Sequence, residues 1–208
     1  MRDSRKIKRT LRYSILDGAF YSAMIGFGES FFSVFAIFLK ATNIHLGLLG
    51  SVPQALGSFS QLLTNWLLHK FKSRKLLVCL GVLLQALMYI PIALVFFMGT
   101  LRIWHLILFV SLYWIMGSVL NPAWNSWMGD LVQEKNRGKY FGKRSKISNI
   151  VSFTTFIIAG YLLQHFVDGV KAQYLGFIII FALAMISRLI SLFFLLKKHE
   201  PKYDLDGI

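Results

Sequence analysis

Apolar residues in this chain are concentrated in six long stretches that alternate with short polar connections. Each stretch has about the twenty mostly apolar residues that a helix needs to cross the hydrocarbon core of a bilayer. Helices satisfy all backbone polar groups within one segment, so each stretch is predicted to be helical. The pattern predicts an all-α integral membrane protein, a bundle of six transmembrane helices. The predicted spans cover residues 14–39, 46–69, 76–98, 103–129, 147–166 and 173–196.

Polar residues recur inside four of these stretches at intervals of three and four, which places them on one face of a helix. In the second stretch this face holds Ser51, Gln54, Ser58, Gln61 and Asn65. Comparable faces are predicted on the first, fourth and fifth stretches, whereas the third and sixth are plainer. A single polar stripe often does no more than hold two helices together. Four such stripes in one bundle favour a hydrated central cavity.

Basic residues predict the orientation of the bundle. They fall almost entirely into four clusters, at residues 2–12, 70–75, 135–146 and 197–202. Counted over alternate connections, one side of the membrane receives 19 Lys and Arg residues and the other receives 3. Cytoplasmic loops retain such residues, so both termini are predicted to be cytoplasmic. The predicted organisation is a basic N-terminus (1–12), a six-span unit (13–196) and the start of a linker or tail (197–208).

Composition excludes several classes of protein. The formal net charge of +14 would suggest a nucleic-acid partner for a soluble protein, but here the charge is confined to loops, where anionic lipids are the expected contacts. A cleaved signal peptide is not expected, because the first stretch is too long and carries Asp17 and Glu29. The single cysteine, Cys79, cannot form a disulfide framework, and the histidines lack metal-ligand spacing. We predict neither a metal nor a cofactor.

The connection after the second stretch carries a short basic motif. Residues 65–75 read Asn-Trp-Leu-Leu-His-Lys-Phe-Lys-Ser-Arg-Lys. This segment resembles the loop Gly-x-Leu-x-Asp-Arg-x-Gly-Arg-Arg of the major facilitator superfamily, with Lys70 and Arg74 at two of its basic positions. Lys72 stands where that pattern has a glycine, and His69 stands where it has an aspartate. The acidic residue that forms a salt bridge in that family is therefore absent at position 69.

A second motif lies at the end of the fourth stretch and in the connection after it. Asp130 is followed by Arg137-Gly138 and, after three further residues, by Gly142. The segment is similar to the acidic residue and Arg-Gly-x-x-x-Gly sequence that follow the fourth helix in the same superfamily. With six spans and the Asp17-Gly18 opening of the first, the resemblance covers essentially the whole chain.

The resemblance implies the architecture and the partner. Full transporters of this family have twelve spans in two pseudosymmetric six-span halves, each built from 3+3 inverted repeats, and bind substrate between the halves. This chain resembles the N-terminal half. A second six-span half is therefore implied, as a C-terminal half, a separate chain or a second copy. The expected location is the cell membrane, with the lipid bilayer and a small solute as the other partners.

The candidate site residues come from the polar stripes and the motifs. The predicted cavity lining is Ser22, Glu29, Gln54, Ser58, Asn121, Trp124 and Asn125. Glu29 could carry a coupling proton because an ionised carboxyl near mid-membrane is costly, although a structural carboxyl with a neutralising partner is the alternative. The predicted cytoplasmic gate consists of Lys70, Arg74, Asp130, Arg137 and Gly138, with Asp130 paired to Arg74 or, in competition, to Arg137.

Arg188 is a charged residue inside the sixth stretch. It could bind an anionic substrate, but the resemblance places that span at the periphery. We therefore expect it to pair with Asp17 or Glu29, or to extend toward the inner interface.

These observations favour half of a secondary active transporter that works by alternating access, with possible proton coupling. An integral-membrane enzyme, such as a lipid-modifying transferase, is the first alternative. Clustered carboxylates or histidines for metal or phosphate chemistry are missing from the sequence, so we predict no enzyme. The second alternative is a six-span remnant or assembly partner that does not itself transport.

Overall fold

The computed structural model describes the backbone of residues 2–201 and the side chains of residues 6–201. Within that range the chain forms helices joined by short turns. The α-helices are α1 (Arg2–Phe27), α2 (Phe32–Phe38), α3 (Asn43–Ser60), α4 (Thr64–Phe71), α5 (Arg74–Leu87), α6 (Tyr89–Leu94), α7 (Arg102–Ser118), α8 (Asn121–Leu131), α9 (Arg137–Gln164) and α10 (Val170–Leu196).

The first eight α-helices join end to end in pairs, so that the bundle has six spans: α1–α2, α3–α4, α5–α6, α7–α8, α9 and α10. Within the described residues, five spans are long and apolar enough to cross a membrane, and α3–α4 is not among them. Its polar stripe lowers the mean hydropathy of that segment. The start of the first span and the segment after the last span nevertheless lie at the same end of the bundle, because the backbone N–H of His199 donates to Thr10 Oγ1 at 3.2 Å. The number of crossings between them must therefore be even.

Two of the breaks between paired helices have a clear cause in the sequence. Proline lacks the N–H that would bond to the carbonyl four residues earlier. For Pro91 that carbonyl belongs to Leu87, the last residue of α5, and for Pro122 it belongs to Ser118, the last residue of α7. Each proline thus accounts for the helix boundary just before it.

Packing between the spans follows the symmetry of an inverted repeat. The first span packs against the fifth and sixth, the fourth packs against the second and third, and the third and sixth pack against each other. Exchanging spans 1, 2 and 3 with spans 4, 5 and 6 leaves this set of contacts unchanged. The 3+3 repeat and the six-helix membrane bundle predicted from the sequence are therefore confirmed.

Close helix approach in these pairs depends on small residues. A Cβ atom on Gly26 of α1 would lie 2.5 Å from the backbone oxygen of Ser152 on α9. In the symmetry-related pair, a Cβ atom on Gly57 of α3 would lie 3.2 Å from the backbone oxygen of Trp114 on α7. Both glycines therefore sit where two helix backbones come nearest.

One end of the bundle carries the basic clusters, and we call it the basic end. Thr10, Ser73 and His199 lie at this end. The clusters are more helical than predicted, since α1 begins at Arg2 and α9 begins at Arg137. The chain after α10 folds back onto the bundle: Glu200 accepts a hydrogen bond from Ser73 Oγ at 2.8 Å. The predicted tail beyond residue 201 lies outside the described residues.

Candidate functional site

A cavity of about 180 Å³ lies between the spans toward the basic end. Side chains from the first, third, fourth, fifth and sixth spans line it, and we call it the Arg188 cavity. Its polar lining is Asp17, Tyr21, Asn121, Asn125, Arg144 and Arg188. Trp124, Leu120, Val78 and Val82 contribute apolar surface to it.

Asp17 is the buried acid at the centre of this region. Its carboxylate accepts a hydrogen bond from Lys198 Nζ at 2.8 Å and another from Ser191 Oγ at 2.7 Å. Arg144 Nη2 lies 3.8 Å from the same carboxylate. The side chain of Asp17 is 4% exposed and that of Lys198 is fully buried. A charge in such surroundings is stable only when it is paired and hydrogen-bonded, and Asp17 meets both conditions.

Lys198 reaches the bundle from the segment after α10. Burial lowers its pKa, while the Asp17 carboxylate acts in the opposite direction. Its Nζ also lies 5.7 Å from the ring centre of Trp124 and 5.6 Å from that of Trp127, within the range of cation–π attraction. Trp127 in turn donates its indole N–H to the carbonyl of His199 at 3.1 Å. The segment is therefore fixed to α8 as well as to α1.

Arg188 occupies the cavity wall formed by the sixth span. Its Nη2 donates to Gln85 Oε1 at 2.6 Å, and its Nη1 donates to Ser191 Oγ at 3.4 Å. The guanidinium carbon lies 4.6 Å from the ring centre of Tyr21. In residues 6–201, Arg188 has no carboxylate within 4 Å. The expectation that it pairs with Asp17 or Glu29 is wrong, because Lys198 and Arg144 take the Asp17 carboxylate.

The fourth span brings three predicted site residues into the cavity. α8 begins at Asn121, and the spacing of three and four places Asn121, Trp124 and Asn125 on one face of this helix. The guanidinium carbon of Arg144 lies 4.5 Å from the Trp124 ring centre. All three residues line the Arg188 cavity.

The other predicted lining residues lie elsewhere. Gln54 and Ser58 are exposed on α3, where the Ser58 hydroxyl donates to the Gln54 carbonyl at 2.9 Å. Ser22 is buried within the bundle. Glu29 sits in a short 3₁₀ turn between α1 and α2, and its Oε2 accepts a hydrogen bond from Tyr113 Oη at 2.8 Å. The cavity described here includes none of the four.

Asp17 and Arg188 were singled out from the sequence, but Arg144 and the neighbouring Lys198 were missed. Arg144 was assigned to a basic loop, but α9 begins at Arg137 and carries Arg144 two turns into the helix. Ser148, four residues later on the same face, donates to the Gly18 carbonyl at 3.3 Å. The four-residue spacing of Arg144 and Ser148 was the sequence signal that could have placed Arg144 on the inner face of a helix. Lys198 carried no comparable signal, because its burial depends on the chain folding back after α10.

The predicted pair at the basic end is present. Arg74 Nη1 lies 2.7 Å from Asp130 Oδ2 and 3.0 Å from Ser126 Oγ. Arg74 is fully buried, whereas the Asp130 side chain is 51% exposed. The competing partner, Arg137, binds the carbonyl of Gly129 at 3.2 Å instead.

The remaining gate candidates are more peripheral. Lys70 is exposed, with its Nζ 5.3 Å from the ring centre of Trp66. Gly138 lies in the first turn of α9, and no atom lies within 4 Å of a Cβ placed there. Lys72, at the glycine position of the motif, has a left-handed backbone with φ of 54°.

Comparison with known proteins agrees with this architecture. The family model of the Major Facilitator Superfamily matches residues 18–207. The chain belongs to the Major Facilitator Superfamily. Members of this superfamily are generally transporters rather than enzymes, which disfavours the membrane-enzyme alternative. Searches of curated proteins and of solved structures found no match to the chain.

Proposed function

We propose that this chain is a six-span half of a secondary transporter that moves a small solute by alternating access. A second six-span half would complete it. The observation that carries the proposal is an exposed polar face on the second and fourth spans. Its members are Ser51, Gln54, Ser58, Asn65, Asn121 and Asn125.

This face contrasts with the surface of the third and sixth spans. Exposed residues along those spans include Leu80, Leu87, Ile90, Ile186 and Phe193. Such side chains suit contact with lipid tails. The Ser51 and Ser58 hydroxyls bond to carbonyls of their own helix. The amide side chains of this face have no such partners within the described residues, and facing lipid would cost several kcal/mol for each of them. The polar face is therefore the surface that a second half, and the water between the halves, would cover.

The Arg188 cavity opens at the edge of this face, because its lining residues Asn121 and Asn125 are exposed. A solute held there would lie between the two halves. Rocking of the halves would then expose it to one side of the membrane and the other. The Arg74–Asp130 pair joins the connection after the second span to the fourth span, so it would act as a gate contact during this movement.

Orientation belongs to the same proposal. The basic end would face the cytoplasm, with the chain in the cell membrane and both termini inside, because Lys and Arg are retained on the cytoplasmic side. Cys79→Ala gives a cysteine-free background for labelling with a membrane-impermeant maleimide in intact cells. We expect Lys171→Cys to react and Lys139→Cys to remain unlabelled. Labelling of Lys139→Cys from outside would show that the basic end faces outward and would contradict the proposed orientation.

Alternating access is tested in the same background, in membranes that contain the complete transporter. Asn121→Cys should react with the maleimide from the basic end and, in a second conformation, from the opposite end. Leu80→Cys, on a surface assigned to lipid, is the matched control and should react from neither end. Access to Asn121→Cys from one end alone under all conditions would contradict the proposal.

Glu29 is the residue we assign to proton coupling. Its partner is the neutral hydroxyl of Tyr113, and no basic group lies within 4 Å of it among residues 6–201. A carboxyl with that environment can gain and lose a proton without breaking an ion pair. Glu29→Gln should abolish proton-driven accumulation and leave downhill exchange intact. Unchanged accumulation with unchanged pH dependence would make Glu29 a structural carboxyl.

A further inference from the structure

Charge is unbalanced around the Arg188 cavity. Arg144 and Arg188 line the cavity together with one carboxylate, that of Asp17, and the buried Lys198 contacts that carboxylate. Lys198 lies 2.8 Å from the carboxylate and Arg144 lies 3.8 Å from it. Asp17 can neutralise one positive charge, so the region keeps an excess of two. Such an excess in a partly enclosed cavity attracts an anion.

Arg188 is the basic residue of this cavity that has no carboxylate partner within 4 Å among residues 6–201. The residue is 6% exposed, and it lines the cavity. Its Nη atoms are hydrogen-bonded to Gln85 and Ser191, but its Nε is buried and has no hydrogen-bond partner among the described residues. A buried cation without an anion and with an unused donor is costly. A ligand in the cavity that supplies an oxyanion would remove both costs.

The remaining lining groups suit the same ligand. The Tyr21 hydroxyl and the amides of Asn121 and Asn125 line the cavity and form no hydrogen bonds within the part of the chain described here. All three can donate to an oxygen acceptor. Guanidinium groups bind carboxylate and phosphate through paired N–H donors, which gives direction as well as charge. The lining thus combines two guanidinium groups with neutral donors.

Size limits the ligand. A water molecule takes up about 30 Å³ of liquid, so a cavity of about 180 Å³ holds on the order of six atoms of that size. One anionic group with a short attached chain fits this volume. Larger solutes would extend past Asn121 and Asn125 toward the second half.

We propose that the Arg188 cavity binds a small solute carrying a carboxylate or phosphate group, with Arg188 as its anchor and Arg144 as the second cation. The proposal rests on the proposed function, since it names the class of solute for that site. Asp17 would not repel such a solute strongly, because Lys198 and Ser191 already engage its charge. Neutral sugars and cationic drugs would leave the positive charge uncompensated.

Binding is measured on the purified complete transporter by its thermal unfolding in a dilute cationic buffer. The probes are sodium phosphate, sodium acetate and choline chloride at matched ionic strength, with glucose as a neutral probe. We expect phosphate or acetate, or both, to raise the unfolding temperature in a saturable way, while choline chloride and glucose do not. A response to phosphate alone assigns a phosphate group, and a response to acetate alone assigns a carboxylate. Equal responses to all four probes, or to none, would overturn the proposal.

Variants locate the site. Arg188→Gln should weaken anion binding at least tenfold, and Arg188→Lys should weaken it less because the charge remains. Arg137→Gln removes an exposed arginine that pairs with Glu134 outside the cavity and is the matched control. If Arg188→Gln does not fold, Asn121→Leu tests the same site. It narrows the cavity mouth and leaves the charged residues unchanged, so it should also weaken anion binding. Anion binding that survives in the folded variant refutes the assignment.

The two proposals fail separately. Anion binding requires no transport, so a transporter that binds phosphate or acetate but exposes Asn121→Cys to one end only would contradict alternating access and keep the anion site. Access to Asn121→Cys from both ends, without any response to phosphate or acetate, would support alternating access and contradict the anion site.

Discussion

The ammonium group of Lys198 lies 2.8 Å from the Asp17 carboxylate, inside the bundle. The two residues are far apart in sequence: Asp17 is in the first span and Lys198 follows the last. Their contact holds the segment after α10 against the first helix. Both side chains are almost completely removed from solvent, so the pair contributes through its partnership rather than through either charge alone.

Asp17→Asn should destabilise the protein by about 3 kcal/mol or more, because it leaves Lys198 buried without its carboxylate. Removing both charges, in Asp17→Asn with Lys198→Met, should be less damaging than the single change. Unfolding of the single and the double variant in detergent, followed by circular dichroism, measures the difference. Glu134→Gln, which breaks an exposed pair with Arg137 at 3.6 Å, is the control and should have little effect. A single variant as stable as the double one would show that the pair is not coupled.

Asp130→Asn should lower the free energy of unfolding by about 2 kcal/mol, a value between those for exposed and buried ion pairs. An ion pair with both side chains exposed is worth about 1 kcal/mol or less. The structure raises that expectation because Arg74 is fully buried, although Asp130 is half exposed. Unfolding measured at increasing salt concentration is the check. A buried guanidinium is screened weakly, so a cost that vanishes in high salt would indicate an ordinary surface pair.

Gly26→Ala should destabilise the contact between α1 and α9 by about 1–3 kcal/mol. The new methyl group would meet the backbone oxygen of Ser152, which cannot move aside as a side chain can. Gly160→Ala is the control on α9, where no atom lies within 4 Å of an added Cβ. It should be neutral or slightly stabilising, because alanine favours helix. Equal loss of thermal stability in both variants would argue against close packing at Gly26.

Lys72→Gly should stabilise the protein by about 1 kcal/mol. Lys72 has φ of 54° at the C-terminal end of α4, a left-handed conformation that glycine adopts without strain. Lys70→Gly, two residues earlier inside α4, removes the same charge but should destabilise by about 1 kcal/mol. Thermal unfolding of the two variants side by side separates the backbone effect from the charge effect. A loss of stability in Lys72→Gly would mean that the lysine side chain matters more than its conformation.

Periodicity was enough to predict the bundle because lipid leaves the backbone few choices. The apolar runs predicted six spans, and the structure has six. The Arg74–Asp130 pair followed from family resemblance, since both residues occupy motif positions. These features depend on local sequence or on a shared family pattern.

The cavity depends on contacts that periodicity does not encode. Asn121 and Asn125 were predicted from the polar face of the fourth span, and Trp124 was a separate candidate. The polar stripes did not indicate that the plainer third and sixth spans line the cavity and that the second span does not. Arg144 and Lys198 reach the same place from different spans, and the rotation of each helix about its axis decides whether they meet. Arg188 was expected to have a carboxylate partner, but Lys198 competes for Asp17 from a segment whose position no pattern indicated.

The polar stripe of the second span also affects how the protein is made. Insertion into the bilayer is favoured by apolar side chains and opposed by polar ones, and α3–α4 is the one span within the described residues that falls short on hydropathy. Its stabilising contacts come later in the chain: Ser60 and Thr64 donate to the carbonyls of Ile115 and Val119 at 3.3 and 2.8 Å. During synthesis from the N-terminus, the second span therefore leaves the ribosome before its partner exists. Its entry into the membrane depends on the neighbouring hydrophobic spans, and the order of translation becomes part of the folding problem.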